Sequence, residues 1–270
     1  FGGGYDTNKD SDGAGTTDSK GRSVYMVDAK TGTLKWSMAP SGADTTFAGS
    51  DNIPSSIGLL DSTGNGLVDR LYTGDTGGNI WRVDMPSDSK DDVSVFQLAS
   101  LGGNTNATDR RFFYEPSIVR TFIAETIETE VVDENGVTST ITVHQEKPYD
   151  AVLIGSGDRS NPLGTDTDDS FFMIKDEYIE TQTFSASTTP ATPSVIEESD
   201  LFDFTTDRFA ETMTSQERET LELEVSEKSG WFIDFTQTGE KSTSAAIVIN
   251  GIVYYTSFTP PEFSGELVDC

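Results

Sequence analysis

The 270-residue chain has one cysteine and one histidine. A single cysteine, Cys270, rules out an internal disulfide and any zinc site built on several thiolates, and leaves pairing with a residue outside these 270 as its only disulfide. The single histidine, His144, lies in a strand-like stretch with no serine or cysteine nucleophile beside it, so it reads as a structural residue. Basic residues are few: 18 Lys and Arg stand against 46 Asp and Glu, for a net charge of -28. That field repels phosphate backbones and makes nucleic acid a poor partner. No apolar run approaches the roughly 18 residues of a membrane helix, so no transmembrane segment is expected, and no cationic stretch leads into an apolar one. Helical periodicity is confined to the neighbourhood of Ser215 to Val225.

What the chain does have is enough apolar content for a core, 34% of residues. It begins at Phe1 without a methionine and stops at Cys270 just after a strand-like stretch, which reads as a piece of something longer. Short runs of Val, Ile, Tyr, Phe, Trp and Thr alternate with Gly, Asp, Asn and Ser clusters, the pattern of an all-β fold. Strands are predicted at Ser23 to Asp28, Leu67 to Thr73, Asn79 to Asp84, Ala151 to Gly155, Phe171 to Lys175 and Trp231 to Phe235. Asn135-Gly136 and Asn250-Gly251 suit two-residue type I′ turns, because both residues tolerate positive φ. The first of these closes a hairpin with a polar face, predicted as an insertion over 120–149. Residues 181–200, rich in Ser, Thr and Pro, are predicted as a flexible surface loop.

A weak internal repeat organises these strands. Tyr25, Val27 and Asp28 precede a Lys30-Thr31-Gly32 turn; the same pattern returns as Trp81, Val83 and Asp84, and again as Phe172, Ile174 and Lys175. Each copy follows a glycine-punctuated strand end: FGGGYD, LYTGDTGG and VLIGSGDR. Strand, Gly-rich turn, aromatic strand, turn and strand make up a β-propeller blade. With the last hairpin counted, about four quinoprotein-like blades are represented, as part of one larger propeller spanning 1–270.

The segment Asp61 to Arg70, DSTGNGLVDR, carries the clearest chemistry. Calcium takes six to eight oxygen ligands, and a tightly turning loop supplies them at alternate positions. Asp61, Thr63, Asn65 and Asp69 occupy positions 1, 3, 5 and 9 of an EF-hand-like loop, Gly66 the sharp turn, and Leu67 a backbone carbonyl at position 7. Thr63 stands where an acidic or amide residue is usual and Tyr72 where a glutamate is usual, so moderate affinity is expected. A metal-free Asp/Asn/Gly turn is the alternative. A second set, Asn8, Asp10, Asp12 and Thr16 with Gly13, offers either another calcium loop or a solvated acidic loop. Asp166, Asp168 and Asp169 lack the glycine and read as solvated. Asp75-Thr76-Gly77 has no second copy to supply a paired carboxylate and reads as a turn.

The series FGGGYD, VYMVDAKTGTLKW, DSTGNGLVDRLYTGDTGGNIWRVDM and VLIGSGDR with DSFFMIKD resembles, in order and spacing, the C-terminal propellers of the PilY/PilC family of type IV pilus factors. The resemblance covers the chain to about Tyr178 and again at Ser257 to Pro260. It implies a non-enzymatic protein exported through the periplasm and outer membrane to the extracellular pilus tip. Such a protein acts in pilus biogenesis, retraction control and adhesion, with pilins or minor pilins and a host or abiotic surface as partners. It places the family's calcium loop on Asp61, Thr63, Asn65, Leu67 and Asp69. Two alternatives stay open: a quinoprotein dehydrogenase, because DAKTGTLKW also resembles pyrroloquinoline quinone enzymes, and a generic secreted calcium-dependent adhesin.

Overall fold

A computed structural model describes residues 1–209 and 212–261; Cys270 lies outside the described residues, as do the side chains of Asp12 and His144. In chain order a short helical turn α1 (Lys9–Asp12) precedes β1 (Val24–Val27), β2 (Leu34–Ala39) and β3 (Thr45–Thr46). There follow β4 (Gly58–Leu60), β5 (Arg70–Gly74), β6 (Asn79–Asp84), β7 (Ser94–Ser100), β8 (Ser117–Val132), β9 (Thr138–Gly155) and β10 (Ser170–Asp176). The remainder comprises β11 (Ile196–Glu197), β12 (Phe202–Asp203), α2 (Ser215–Glu227), β13 (Gly230–Asp234), β14 (Lys241–Ser242), β15 (Ile247–Ile249), β16 (Ile252–Tyr254) and β17 (Ser257–Phe258). The all-β expectation holds, with one helix of length at the predicted place. Thr214 caps that helix by accepting from the Glu217 N–H while Glu217 reaches back to the Thr214 N–H.

Two sheets share one topology. β4-β5-β6-β7 form an antiparallel meander extended by β11, and β8-β9-β10-β13 form another extended by β12; both short strands add in parallel. A smaller sheet, β1-β2-β3, precedes them, and Gly2 bridges to Val24 at its edge. The three repeat copies fall on β1, β6 and β10, in three different sheets. Within each, the glycine-punctuated segment lies against the aromatic strand, as Gly2 with Val24, Gly74 with Ile80 and Gly155 with Phe171.

Alternation sets the layers, because successive strand residues face opposite sides. Tyr72, Ile80 and Phe96 from the first meander meet Val152, Ile154, Phe172 and Ile174 from the second in one core. The other face of the first meander, with Leu71, Trp81 and Val83, packs on Val24, Trp36 and Met38 of the N-terminal sheet and on Phe47 just beyond it. The other face of the second, with Ala151, Leu153, Phe171 and Met173, packs on Ala246 and on partly buried Tyr255, Val248 and Val253. Sheets covered on both faces explain why β5 and β10 are buried along their whole length.

β8 and β9 pair from Ser117↔Leu153 out to Val132↔Thr138, whereas β9 meets β10 only over Asp150 to Gly155. The hairpin therefore runs far past the sheet that roots it. Its turn differs from the two-residue form expected. Gly136 has φ +78 but Asn135 is not in the positive region, and the Asp133 N–H donates to the Val137 carbonyl at 3.0 Å, closing a three-residue loop. The cause is local: the Asp133 carboxylate accepts the N–H groups of Asn135 and Val137, both at 2.8 Å. At Asn250-Gly251 both φ angles are positive, 52° and 77°, as the type I′ reading requires. Residues 181–195 are irregular, yet Phe184 is buried against Phe96 and Tyr178, and the segment ends in β11 on the edge of β7.

Candidate metal centre

The Asp61–Asp69 segment is the connection between β4 and β5, whose antiparallel pairing closes with Leu60 opposite Arg70. The loop winds around the Asp61 carboxylate. Oδ1 accepts the N–H of Gly64 at 2.7 Å and of Asn65 at 3.1 Å, and Oδ2 accepts the N–H of Gly66 at 2.6 Å. Gly64 and Gly66 take φ +73 and +87, which bends the chain tightly enough for three successive amides to reach one carboxylate. These donors, Gly66 first, hold the Asp61 pKa below the ordinary carboxylate range against partial desolvation. Asn65 Oδ1 accepts the Leu67 N–H at 2.8 Å, and the Thr63 hydroxyl lies 3.4 Å from Asp61 Oδ1. At the far end Asp69 is held by Ser62, whose N–H and hydroxyl donate to its two oxygens at 2.9 and 2.8 Å.

This arrangement brings the five sequence-predicted ligands into one exposed nine-residue loop. A carboxylate oxygen carries two acceptor sites, so the bonds described leave a free one on Asp61 Oδ2 and on each oxygen of Asp69. Two carboxylates, an amide, a hydroxyl and a carbonyl form a hard, all-oxygen set suited to calcium rather than zinc. Among the described residues no group of three or more His, Cys, Asp or Glu side chains is placed to hold a metal, so any ion here would depend on the neutral oxygens as well.

Of the second predicted set, Asn8, Asp10 and Thr16 have separate partners. Asp10 Oδ1 accepts the hydroxyls of Tyr5 at 2.5 Å and Ser160 at 2.8 Å. The Thr16 hydroxyl donates to the Gly13 carbonyl at 3.0 Å, and Asn8 Nδ2 donates to the Thr17 carbonyl at 3.3 Å. The acidic segment around them is anchored from within: Asp6 accepts from Ser19 and Lys20, and buried Lys9 pairs with Asp51 at 2.5 Å. Asp169 is also no solvated residue; it is buried and accepts the hydroxyls of Ser156 and Thr167. Trp36 and Trp81 are buried packing residues whose indole N–H groups donate to Thr45 and Asp75.

Sequence reasoning missed the charged group beside the loop. Arg70, Arg82, Asp84, Asp150 and Asp176 are all fully buried at one end of the core between the two meanders. Arg82 Nη1 donates to both oxygens of Asp176 at 2.7 Å, and its Nε and Nη2 bind Asp84 at 2.8 and 2.7 Å. Arg70 Nη1 donates to Asp150 at 2.6 Å, and the Tyr72 hydroxyl donates to Asp176 at 2.7 Å. Burial, and then the charge of Asp176, push the Tyr72 pKa well above its usual value. The available signal was the presence of Arg70, Arg82, Asp84 and Asp176 within short, largely apolar strands.

Two stacked meanders make a β-rich scaffold that carries the candidate calcium loop at a hairpin tip. The crystal structure of the Pseudomonas aeruginosa PilY1 C-terminal domain has this fold. It is similar at a TM-score of 0.55 with 17% sequence identity, over 88% of this chain and 50% of that one. The chain thus spans about half the length of that domain. No family model and no curated protein matches the sequence. Among the described residues no helix is long and apolar enough to cross a membrane.

Proposed function

We propose that this chain is a calcium-binding, non-enzymatic part of a β-propeller from a pilus-associated protein of the PilY1 kind, acting at the cell surface in pilus biogenesis, retraction control and adhesion. The meanders serve as blades, and pilins or minor pilins are the partners. The observation that supports the calcium reading is the Asp61–Asp69 loop itself, where two glycines at positive φ turn a segment that carries five candidate oxygen ligands. The fold shared with the PilY1 C-terminal domain supports the pilus setting. Asp61 and Asp69 would supply the charge, Thr63, Asn65 and the Leu67 carbonyl the neutral ligands. The ion's part would be to neutralise carboxylates at the hairpin tip and fix its shape.

Calorimetric titration of calcium chloride into the chain tests this. Wild type is expected to bind one ion at this loop, and Asp61→Ala and Asp69→Ala each to abolish that event. Unchanged binding in both variants would place the ion elsewhere.

A further inference from the structure

Both ends of the loop are fastened to one carboxylate of the neighbouring sheet. On the outgoing side Asp69 is followed directly by Arg70, which donates to Asp150 Oδ2 at 2.6 Å. On the incoming side the Ser62 carbonyl accepts from Arg120 Nη1 at 3.1 Å. The same guanidinium holds Asp150 through Nε to Oδ1 at 2.9 Å and Nη2 to Oδ2 at 3.0 Å, a bidentate grip that fixes its plane. Arg120 Nη2 also donates to the Ile179 carbonyl at 3.1 Å, and the Ser62 hydroxyl meets Thr181 Oγ1 at 3.0 Å. Ser62 in turn holds the Asp69 carboxylate by N–H and hydroxyl. The chain of contacts runs from Asp150 on β9 through Arg120 on β8 and Ser62 to the candidate ligand Asp69.

We infer that Arg120 is a positioning residue for the loop's cation site, coupling ion occupancy to the joint between the two meanders. The inference rests on the calcium reading of the loop. A ligand held in place before binding needs less ordering when the ion arrives, so losing the grip on Ser62 weakens affinity without removing any ligand. Coupling of this kind is reciprocal: whatever Arg120 contributes to ion binding, the ion returns to the closure of the joint around Asp150.

The test measures calcium binding by calorimetry for wild type, Arg120→Met and Arg120→Lys, alongside metal-free urea unfolding of each. Arg120→Met is expected to raise the calcium Kd roughly tenfold, within the usual range of coupling between sites, and Arg120→Lys to fall between it and wild type. In wild type, calcium is expected to slow amide exchange at Ala151 to Ile154, and in Arg120→Met to leave it unchanged. Should Arg120→Met fail to fold, Arg120→Lys and Thr181→Val, which removes only the Ser62 contact, carry the comparison. Lower metal-free stability with Kd within twofold of wild type would overturn the inference while leaving the calcium site standing. Absence of binding in wild type would overturn the calcium reading and the inference with it.

Discussion

Asp150 on β9 and Asp176 on β10 lie directly opposite each other in register, two fully buried like charges on one face of one sheet. Like charges so placed oppose strand pairing. The relief comes from the other meander, where Arg70 and Arg82 cross the interface to reach them. With Arg120 and Asp84 included, three guanidinium groups face three carboxylates, so the charge balances only when the two sheets are docked in this register. Arg70 Nε and Nη2 lack hydrogen-bond partners, and Nε lies 3.7 Å from Asp84 Oδ1.

Removing one member leaves its partner charged and buried. Asp176→Ala takes from Arg82 Nη1 its carboxylate and from the Tyr72 hydroxyl its acceptor, while Asp84 still holds Arg82 Nε and Nη2, and is expected to cost about 3 kcal/mol in urea unfolding. Asp176→Asn keeps an acceptor and should cost distinctly less. Equal losses for the two would mean that volume, not charge, governs the position.

Gly66 offers a cleaner measure of the loop's own conformation. A Cβ placed there meets nothing within 4 Å, yet φ is +87, a region that L side chains rarely adopt. Gly66→Ala is therefore expected to cost about 1–2 kcal/mol through the backbone alone and to weaken calcium binding in parallel. Gly66→Asn, which tolerates this region better, should recover part of both losses. Urea midpoints with and without calcium read the two effects separately.

The local signals for strands and for the long helix were faithful, while one turn signal was overridden by a side chain two residues away. Asn79 to Asp84 and Phe171 to Lys175 were legible as strands because apolar residues there are dense and bounded by Gly and Asp. The α2 helix was placed correctly near Ser215 to Val225, and Thr214 with Glu217 caps it. At Asn135-Gly136 a neighbouring side chain, Asp133, redirected the turn. The candidate ligands of the loop are contiguous in sequence and so could be proposed from it. The Arg70, Arg82, Asp150 and Asp176 group could not, because its bonded members are 80 and 94 residues apart and meet only through sheet stacking. The two-residue parallel additions of β11 and β12 carry no periodicity at all.

Calcium should also register as stability. If the loop takes an ion, wild type in millimolar calcium should melt higher than in chelator, and the increment should vanish in Asp69→Ala. Differential scanning calorimetry at fixed protein concentration reads this directly. An increment retained in the variant would assign the stabilising ion to another place in the chain.

The pH response should carry an unusual sign at Asp75. Its carboxylate is fully buried and accepts the N–H of Gly77 at 2.9 Å, the N–H and Nδ2 of Asn79 at 3.0 Å, and the indole N–H of Trp81 at 2.7 Å. Burial first, and the nearby charge of Asp51 second, nevertheless push its pKa up to about 6. An unfolded aspartate titrates near ~3.9, so between those values the folded chain binds more protons than the unfolded one. The stability contributed by protonated Asp75 is thus fully present below the unfolded value and is lost as pH rises through the folded one. Asp6, Asp28 and Asp61, whose pKa values are lowered chiefly by hydrogen bonds to the carboxylate, act in the opposite sense: their contribution is lost as pH falls. Carboxyl carbon NMR should give Asp75 a midpoint well above the other aspartates, and Asp75→Asn should remove its share of the change in urea midpoint between roughly pH 4 and 6. A midpoint in the ordinary aspartate range would show that the donors from Gly77, Asn79 and Trp81 outweigh burial and the charge of Asp51.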